Sequence, residues 1–295
     1  MNPAMQSGNQ ARCVADVGAI LGEGPVWVDR EQALYWVDIK GFKIFRLDPA
    51  GDIRQWDTPF RVASLAPRAS GGFIAGTDRG FAEVDLDRML FEPFHHPEPD
   101  RSTNRFNDGK LDREGRFWAG TMDDSERQAS GALYRLDSDR SSCRIDDGYR
   151  VTNGPAFARS GRLMYHNDSA LQLTYAFDLD AQGTPTGRRI FAHYGEGQGY
   201  PDGMTVDAED CLWIAFWDGW CVRRFSPAGE CLVEIQLPVQ KATSCAFGGP
   251  SLDQLYVTSA SIGLTDSDRD QQPCAGGLYV LDTGCVGLAD VPFAG

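Results

Sequence analysis

Six stretches of the chain repeat one plan, and that repetition restricts the fold more than any other feature. "RFNDGKLDREGRFWAGT", "VTNGPAFARSGRLMYHND" and "YPDGMTVDAEDCLWIAF" each pass from a polar residue and a glycine into a short strand, a tight turn and a second, aromatic-rich strand. The turns D-R-E-G-R, A-R-S-G-R and D-A-E-D-C suit β-hairpins. The same template covers "GEGPVWVDREQALYWVDI", a weaker "ASLAPRASGGFIAGTD" and "SCAFGGPSLDQLYVTSA", and a third strand follows every copy. The first polar positions are Glu23, Ser64, Asn107, Asn153, Asp202 and Ser244 (Cys245 if the last copy shifts by one), spaced by 41, 43, 46, 49 and 42 residues. Such a period, with three or four strands per unit, is the signature of a β-propeller.

No window shows sustained helical periodicity, and 33 glycines and 16 prolines punctuate the alternating runs. The chain therefore reads as all-β: a single six-bladed propeller over residues 12–295, with about four antiparallel strands per blade. The fragment "ARCVADVGAI" is apolar enough to lend the last blade a strand and close the ring. Residues 1–11 read as a disordered tail, because "MNPAMQSGNQ" lacks the basic start and apolar core of a secretory signal. A cytoplasmic location is expected. The eight cysteines form no C-x-x-C and mostly lie in apolar strand-like runs, as free thiols in a reducing compartment would.

A net charge of -14 with scattered basic residues lacks the footprint of a nucleic-acid binder. No run approaches the roughly 20 apolar residues of a membrane-spanning helix. The expected partner is a small molecule, with no nucleic acid and no membrane, and the chain is expected to be a monomer or weak oligomer.

The first strand of each propeller blade lines the central channel, so the six anchors should converge at one mouth. Glu23 and Asp202 would then share a narrow channel and repel, unless a cation sits between them. Glu, Asn and Asp oxygens suit Ca²⁺, Mg²⁺ or Mn²⁺ and, with water completing the shell, Zn²⁺ or Fe²⁺. The competing reading is that these residues solvate a wet channel and cap turns, as Asn-Gly and Asp-Gly often do.

Loops leaving the second strands return to the same mouth, so "GTMDDSERQASG" should overhang it with Asp123, Asp124 and Glu126. Arg105 could reach this space with a forked donor. Asp168, ending the second strand of the fourth copy, reads either as support behind the site or as a turn residue. With four histidines and no H-E-x-x-H, a histidine zinc site is not indicated. No G-x-S-x-G, P-loop or dinucleotide glycine pattern occurs, which argues against serine hydrolases, nucleotidases and dehydrogenases.

The motifs "LGEGPVW", "NRFNDGKLD", "FWAGTM", "TNGP", "PDGM", "TSCAFGGP" and "AGGLYV", in this order, resemble the regucalcin-like sugar lactonases of the senescence marker protein and gluconolactonase family. The resemblance runs from about Leu21 to the C-terminal "PFAG". It implies a six-bladed propeller with one divalent cation on Glu23, Asn153 and Asp202, Asp202 serving also as acid-base residue. It further implies that Arg105 and Asn107 contact the sugar. Animal members place a glutamate three residues after G-T-M, where this chain has Ser125. Asp124 or Glu126 would take over that hydroxyl contact.

The activity thus implied is metal-dependent hydrolysis of an aldonolactone, with xylono-, arabinono-, galactono- and gluconolactone all compatible. Two rivals share the site: a phosphotriesterase or aryl-esterase, and a non-catalytic calcium-binding regulator.

Overall fold

The computed structural model describes residues 11–295; most of the tail expected over residues 1–11 lies outside this range. Among the described residues twenty-four strands form six four-stranded antiparallel sheets, five of them up-and-down meanders, so the six-bladed propeller read from the repeat is the observed fold. The first strands of the blades are Gly22–Val28, Val62–Pro67, Asn104–Leu111, Thr152–Phe157, Tyr200–Val206 and Ala242–Gly248. They pack on one another around the ring. The sixth sheet takes its outer strand, Arg12–Ala15, from the N-terminal side of the chain, with Cys13 opposite Tyr279. Pairing the two ends of the ring removes a free sheet edge.

Apolar residues fill the layers between blades. Trp36, Phe45, Leu278 and Ala15 close the seam between the sixth and first blades, and Trp118, Tyr149, Phe157 and Met164 that between the third and fourth. Buried indoles need a partner for their N–H. Trp118 Nε1 donates to Asp112 Oδ2 at 2.8 Å and Trp213 Nε1 to Asp207 Oδ2 at 2.9 Å. The other oxygen of each aspartate accepts two backbone N–H groups of the hairpin turn that follows, so one residue type fixes both turn and core.

The outermost strands, such as Ser142–Tyr149 and Pro185–His193, are largely solvent-facing. The single α-helix among the described residues, Asp266–Gln271, is a short loop element capped by Thr265.

The last residues cross the far mouth of the channel. Gly287 N donates to Leu252 O at 2.7 Å, Phe293 N to Pro67 O at 2.9 Å, and Phe293 itself is fully buried. This strap leaves the opposite mouth as the open one.

Candidate active site

All six innermost strands break register at the anchor position. The irregularities fall at Glu23/Val26, Val62/Ser64, Phe106/Asp108, Asn153/Ala156, Pro201/Met204 and Ala242/Cys245. A bulge re-aims the side chain beside it, and here it turns the anchors toward the channel mouth. Glycines make room for the close approach of neighbouring blades. A Cβ on Gly22 would meet Ser259 O at 2.6 Å, and one on Gly203 would collide with Ser244.

Glu23, Asn107, Asn153 and Asp202 line one cavity of about 530 Å³, together with Arg105, Met122, Glu126, Arg150, Trp217 and the lysines at 40 and 241. Ser64 and Ser244 are fully buried lower in the channel wall and do not line it. Four of the six sequence anchors therefore meet at the mouth.

The floor of the cavity is electrostatically frustrated. Burial, then the charge of Asp108, pushes the Glu23 carboxyl well above the usual range. Burial, then Glu23 and Asp108, does the same to Asp202. Asp202 Oδ1 is buried without a hydrogen-bond partner, and Glu23 Oε2 accepts only from the adjacent Gly24 N–H, at 3.2 Å. Buried polar atoms are normally satisfied, so this exception points to a missing ligand. Two hard carboxylates and an amide oxygen suit a divalent cation. Among the described residues no group of three or more His, Cys, Asp or Glu side chains is placed to hold a metal ion, so a cation at this floor would have to draw on an amide oxygen beside the two carboxylates.

Hydrogen bonds fix which way that amide points. Ser169 donates its hydroxyl proton to Pro201 O at 2.6 Å, so its oxygen accepts from Asn153 Nδ2 at 2.8 Å. Asn153 Oδ1 is thereby turned to the other side, where it accepts from Asn107 Nδ2 at 3.0 Å and keeps a second lone pair. Asn107 also donates to Thr152 O at 2.7 Å and accepts from Arg105 Nη1 at 2.7 Å.

The acidic loop separates into two roles. Asp124 does not line the cavity: its Oδ1 accepts from Arg105 Nε at 2.6 Å and Arg61 Nη1 at 2.8 Å. Partial burial works against its charged form, yet the two guanidiniums hold it down to about 2. Glu126, in the left-handed conformation at φ 58°, lines the cavity instead. Of the two candidates for the hydroxyl contact, Glu126 is the one that faces the ligand space.

Asp168 accepts from the backbone N–H groups of Arg150 and Val151, at 3.0 and 3.2 Å. Asp38 does the same for Ile20 and Leu21 in the first blade. Asp168 thus braces two cavity-lining residues, and the side chain touching Asn153 is its neighbour Ser169. Sequence reasoning passed over Ser169, Arg61 and Asp108. Asp108, pushed up to about 6 by burial, bridges Gly109 N and Gly154 N at 2.7 and 2.8 Å beneath the cavity floor. Its place directly after an anchor was the available signal.

All eight cysteines are free, with Cys211, Cys221 and Cys245 buried. Among the described residues no helix is long and apolar enough to cross a membrane.

Residues 21–261 match the SMP-30/Gluconolactonase/LRE-like region. The chain is 37% identical over 292 residues to regucalcin of Gallus gallus, with 96% of this chain and 98% of that protein covered. It is 35% identical over 286 residues to 6-deoxy-6-sulfogluconolactonase of Pseudomonas putida, again covering 96% and 98%. The crystal structure of a calcium-binding protein, regucalcin from Agrobacterium tumefaciens, superposes with a TM-score of 0.92 at 26% identity, over 96% of this chain and 97% of that one. With the same six-bladed ring and a match over most of its length, this chain belongs to the SMP-30/gluconolactonase/LRE-like family.

Proposed function

We propose that this protein hydrolyses an aldonolactone to the open-chain sugar acid with the help of one divalent cation. The observation that carries this reading is the unpartnered, buried Asp202 Oδ1 beside Glu23, on the floor of a cavity whose wall holds the Arg105–Asn107 pair. Relatives named as lactonases support the reaction type.

Glu23, Asn153 and Asp202 would hold the cation. When bound, it supplies Lewis-acid polarisation of the lactone carbonyl and stabilises negative charge on the carbonyl oxygen. Asp202 takes the proton from the water that adds to the carbonyl carbon, and its burial beside Glu23 and Asp108 makes its carboxylate more basic than an exposed one. The ring C–O bond then breaks as Asp202 returns that proton to the ring oxygen, which leaves as a hydroxyl, and the carbonyl carbon becomes the carboxylic acid that ionises in water. Arg105, Asn107 and Glu126 hold the sugar hydroxyls and orient the ring. Asp124, itself held by Arg61, holds Arg105.

The test is proton release from xylono-, arabinono-, galactono- and gluconolactone, compared with activated phosphotriesters and aryl esters, in the presence of added cation. Turnover confined to lactones supports the reading; turnover of phosphotriesters alone, or cation binding with no turnover at all, contradicts it.

A further inference from the structure

One basic side chain crosses the channel. Lys110 stands on the innermost strand of the third blade, Asn104–Leu111, and its Nζ donates to Cys245 O, on the innermost strand of the sixth, at 3.1 Å. The innermost strands pack in ring order from first to sixth, and the sixth packs on the first, so the third and sixth blades face each other across the axis. Lys110 therefore spans the channel from wall to wall.

The strand sets its depth. Side chains two residues apart on a strand point the same way, so Lys110 follows Asp108 inward, one step farther from the open mouth. Asp108 bridges Gly109 N and Gly154 N beneath the cavity floor. Lys110 lines not the ligand cavity but a narrow space of about 40 Å³ below it, with Gly24, Leu65, Val206 and Phe247.

The ammonium has no carboxylate of its own. Among the described residues Lys110 makes no ion pair, and its one hydrogen bond goes to the Cys245 carbonyl. Arg105, the other cation beside Glu23, is held by Asp124 at 2.6 Å, and Arg113 at the far mouth faces Asp290 at 3.9 Å. Burial raises the carboxyls of Glu23 and Asp108, and the charge of Lys110 is among the influences that pull both back down. A partly buried ammonium with a single neutral acceptor is costly, and the carboxylates above it offset that cost through charge at longer range. By the same law, a fixed positive charge beneath the floor repels a cation held on it.

We propose that Lys110 is the built-in counter-charge of the carboxylate floor: it stabilises Glu23 and Asp108 when no metal is bound, and it weakens the hold of Glu23, Asn153 and Asp202 on a cation. This rests on the cation site of the lactonase reading and adds the residue that sets its affinity.

The experiment reads binding and melting, so it does not depend on lactone turnover. Ca²⁺ and Tb³⁺ are titrated by calorimetry into chelator-stripped parent protein, Lys110→Met and Lys110→Gln. Both neutral variants should bind Ca²⁺ about tenfold tighter than the parent. Coulomb energy is proportional to the charge of the ion, so a tenfold gain for Ca²⁺ implies about thirtyfold for Tb³⁺. A purely structural crossbar would give unchanged or weaker binding in the variants, and either result, or an equal gain for the two ions, would overturn the proposal. In chelator at pH 8 both variants should melt below the parent, and saturating cation should close the gap. Failure of both to fold even in saturating cation also overturns it, because the cation would supply the missing charge. If the parent binds neither ion, the cation site itself is wrong, and a double-mutant cycle in chelator still decides the role of Lys110. Glu23→Gln should raise Tm more in the Lys110→Met background than in the parent; equal shifts overturn the assignment.

Discussion

Ser169 accepts a hydrogen bond from Asn153 Nδ2 at 2.8 Å because its own proton is committed to Pro201 O. That single commitment turns Asn153 Oδ1 away from Ser169, to where it accepts from Asn107 Nδ2 at 3.0 Å and keeps a second lone pair. Ser169→Ala is therefore expected to lower cation affinity by about 10- to 100-fold, the usual cost of losing a residue that orients a ligand. Calorimetric titration of the chelator-treated protein measures it; unchanged affinity would remove Asn153 from the donor set.

The buried carboxylates make the site a liability when no cation balances it. Their folded-state values lie above the unfolded ones, so their contribution to stability is fully present below about pH 4 and is lost as pH rises through the folded values. In chelator at pH 8, Glu23→Gln should raise Tm by about 2–4 °C, corresponding to roughly 1 kcal/mol in a domain of this size. The same variant should lose the Tm increase that added cation gives the parent protein. A melting comparison with and without cation tests both signs.

Asp124 and Glu126 should separate kinetically. Asp124→Asn frees Arg105 from its ion pair, so kcat and KM should both suffer, with kcat/KM falling by about tenfold or more as orientation is lost. Glu126→Gln should mainly raise KM, since it removes one contact to the sugar and no support from Arg105. Steady-state kinetics of the pair would contradict this assignment if Asp124→Asn were silent.

His166 is fully buried against Tyr149, its ring nitrogens have no partner among the described residues, and burial, then the charge of Arg188, lowers it to about 3. The unfolded imidazole takes a proton below about pH 6.5 while the folded one resists it. Stability is therefore complete above that pH and lost as pH falls toward 3, by about 2 kcal/mol at pH 5. His166→Phe keeps the ring and deletes the titration, so its urea-derived stability should fall less between pH 7 and pH 5 than that of the parent.

Much of this was legible because the channel imposes chemistry on sequence. A position that faces other blades at close range needs glycine beside it, and one that faces the mouth carries a polar group, so Glu23, Asn107, Asn153 and Asp202 stand out at one phase of the repeat. The outer strands were not legible. "PTGRRIFAH" and "SCRIDDGY" are held by sheet pairing with one side in water, and their composition does not differ from that of loops. The strap ending at Phe293 belongs to no repeat, and its backbone bonds leave no mark in the residues. The choice between Asp124 and Glu126 turned on a left-handed turn at Glu126 and on Arg61, which lies 63 residues before Asp124. Neither follows from spacing.

The central claim is that Glu23, Asn153 and Asp202 hold a cation without which the lactone is not opened. Its most direct test is proton release from an aldonolactone by protein stripped with chelator, before and after one equivalent of Ca²⁺, Mg²⁺, Mn²⁺ or Zn²⁺, beside Asp202→Asn. Stripped protein should be inactive, at least one cation should restore turnover, and Asp202→Asn should stay about 10²- to 10⁴-fold slower with cation present. Full activity in the stripped protein, or near-normal kcat in Asp202→Asn, would contradict the claim.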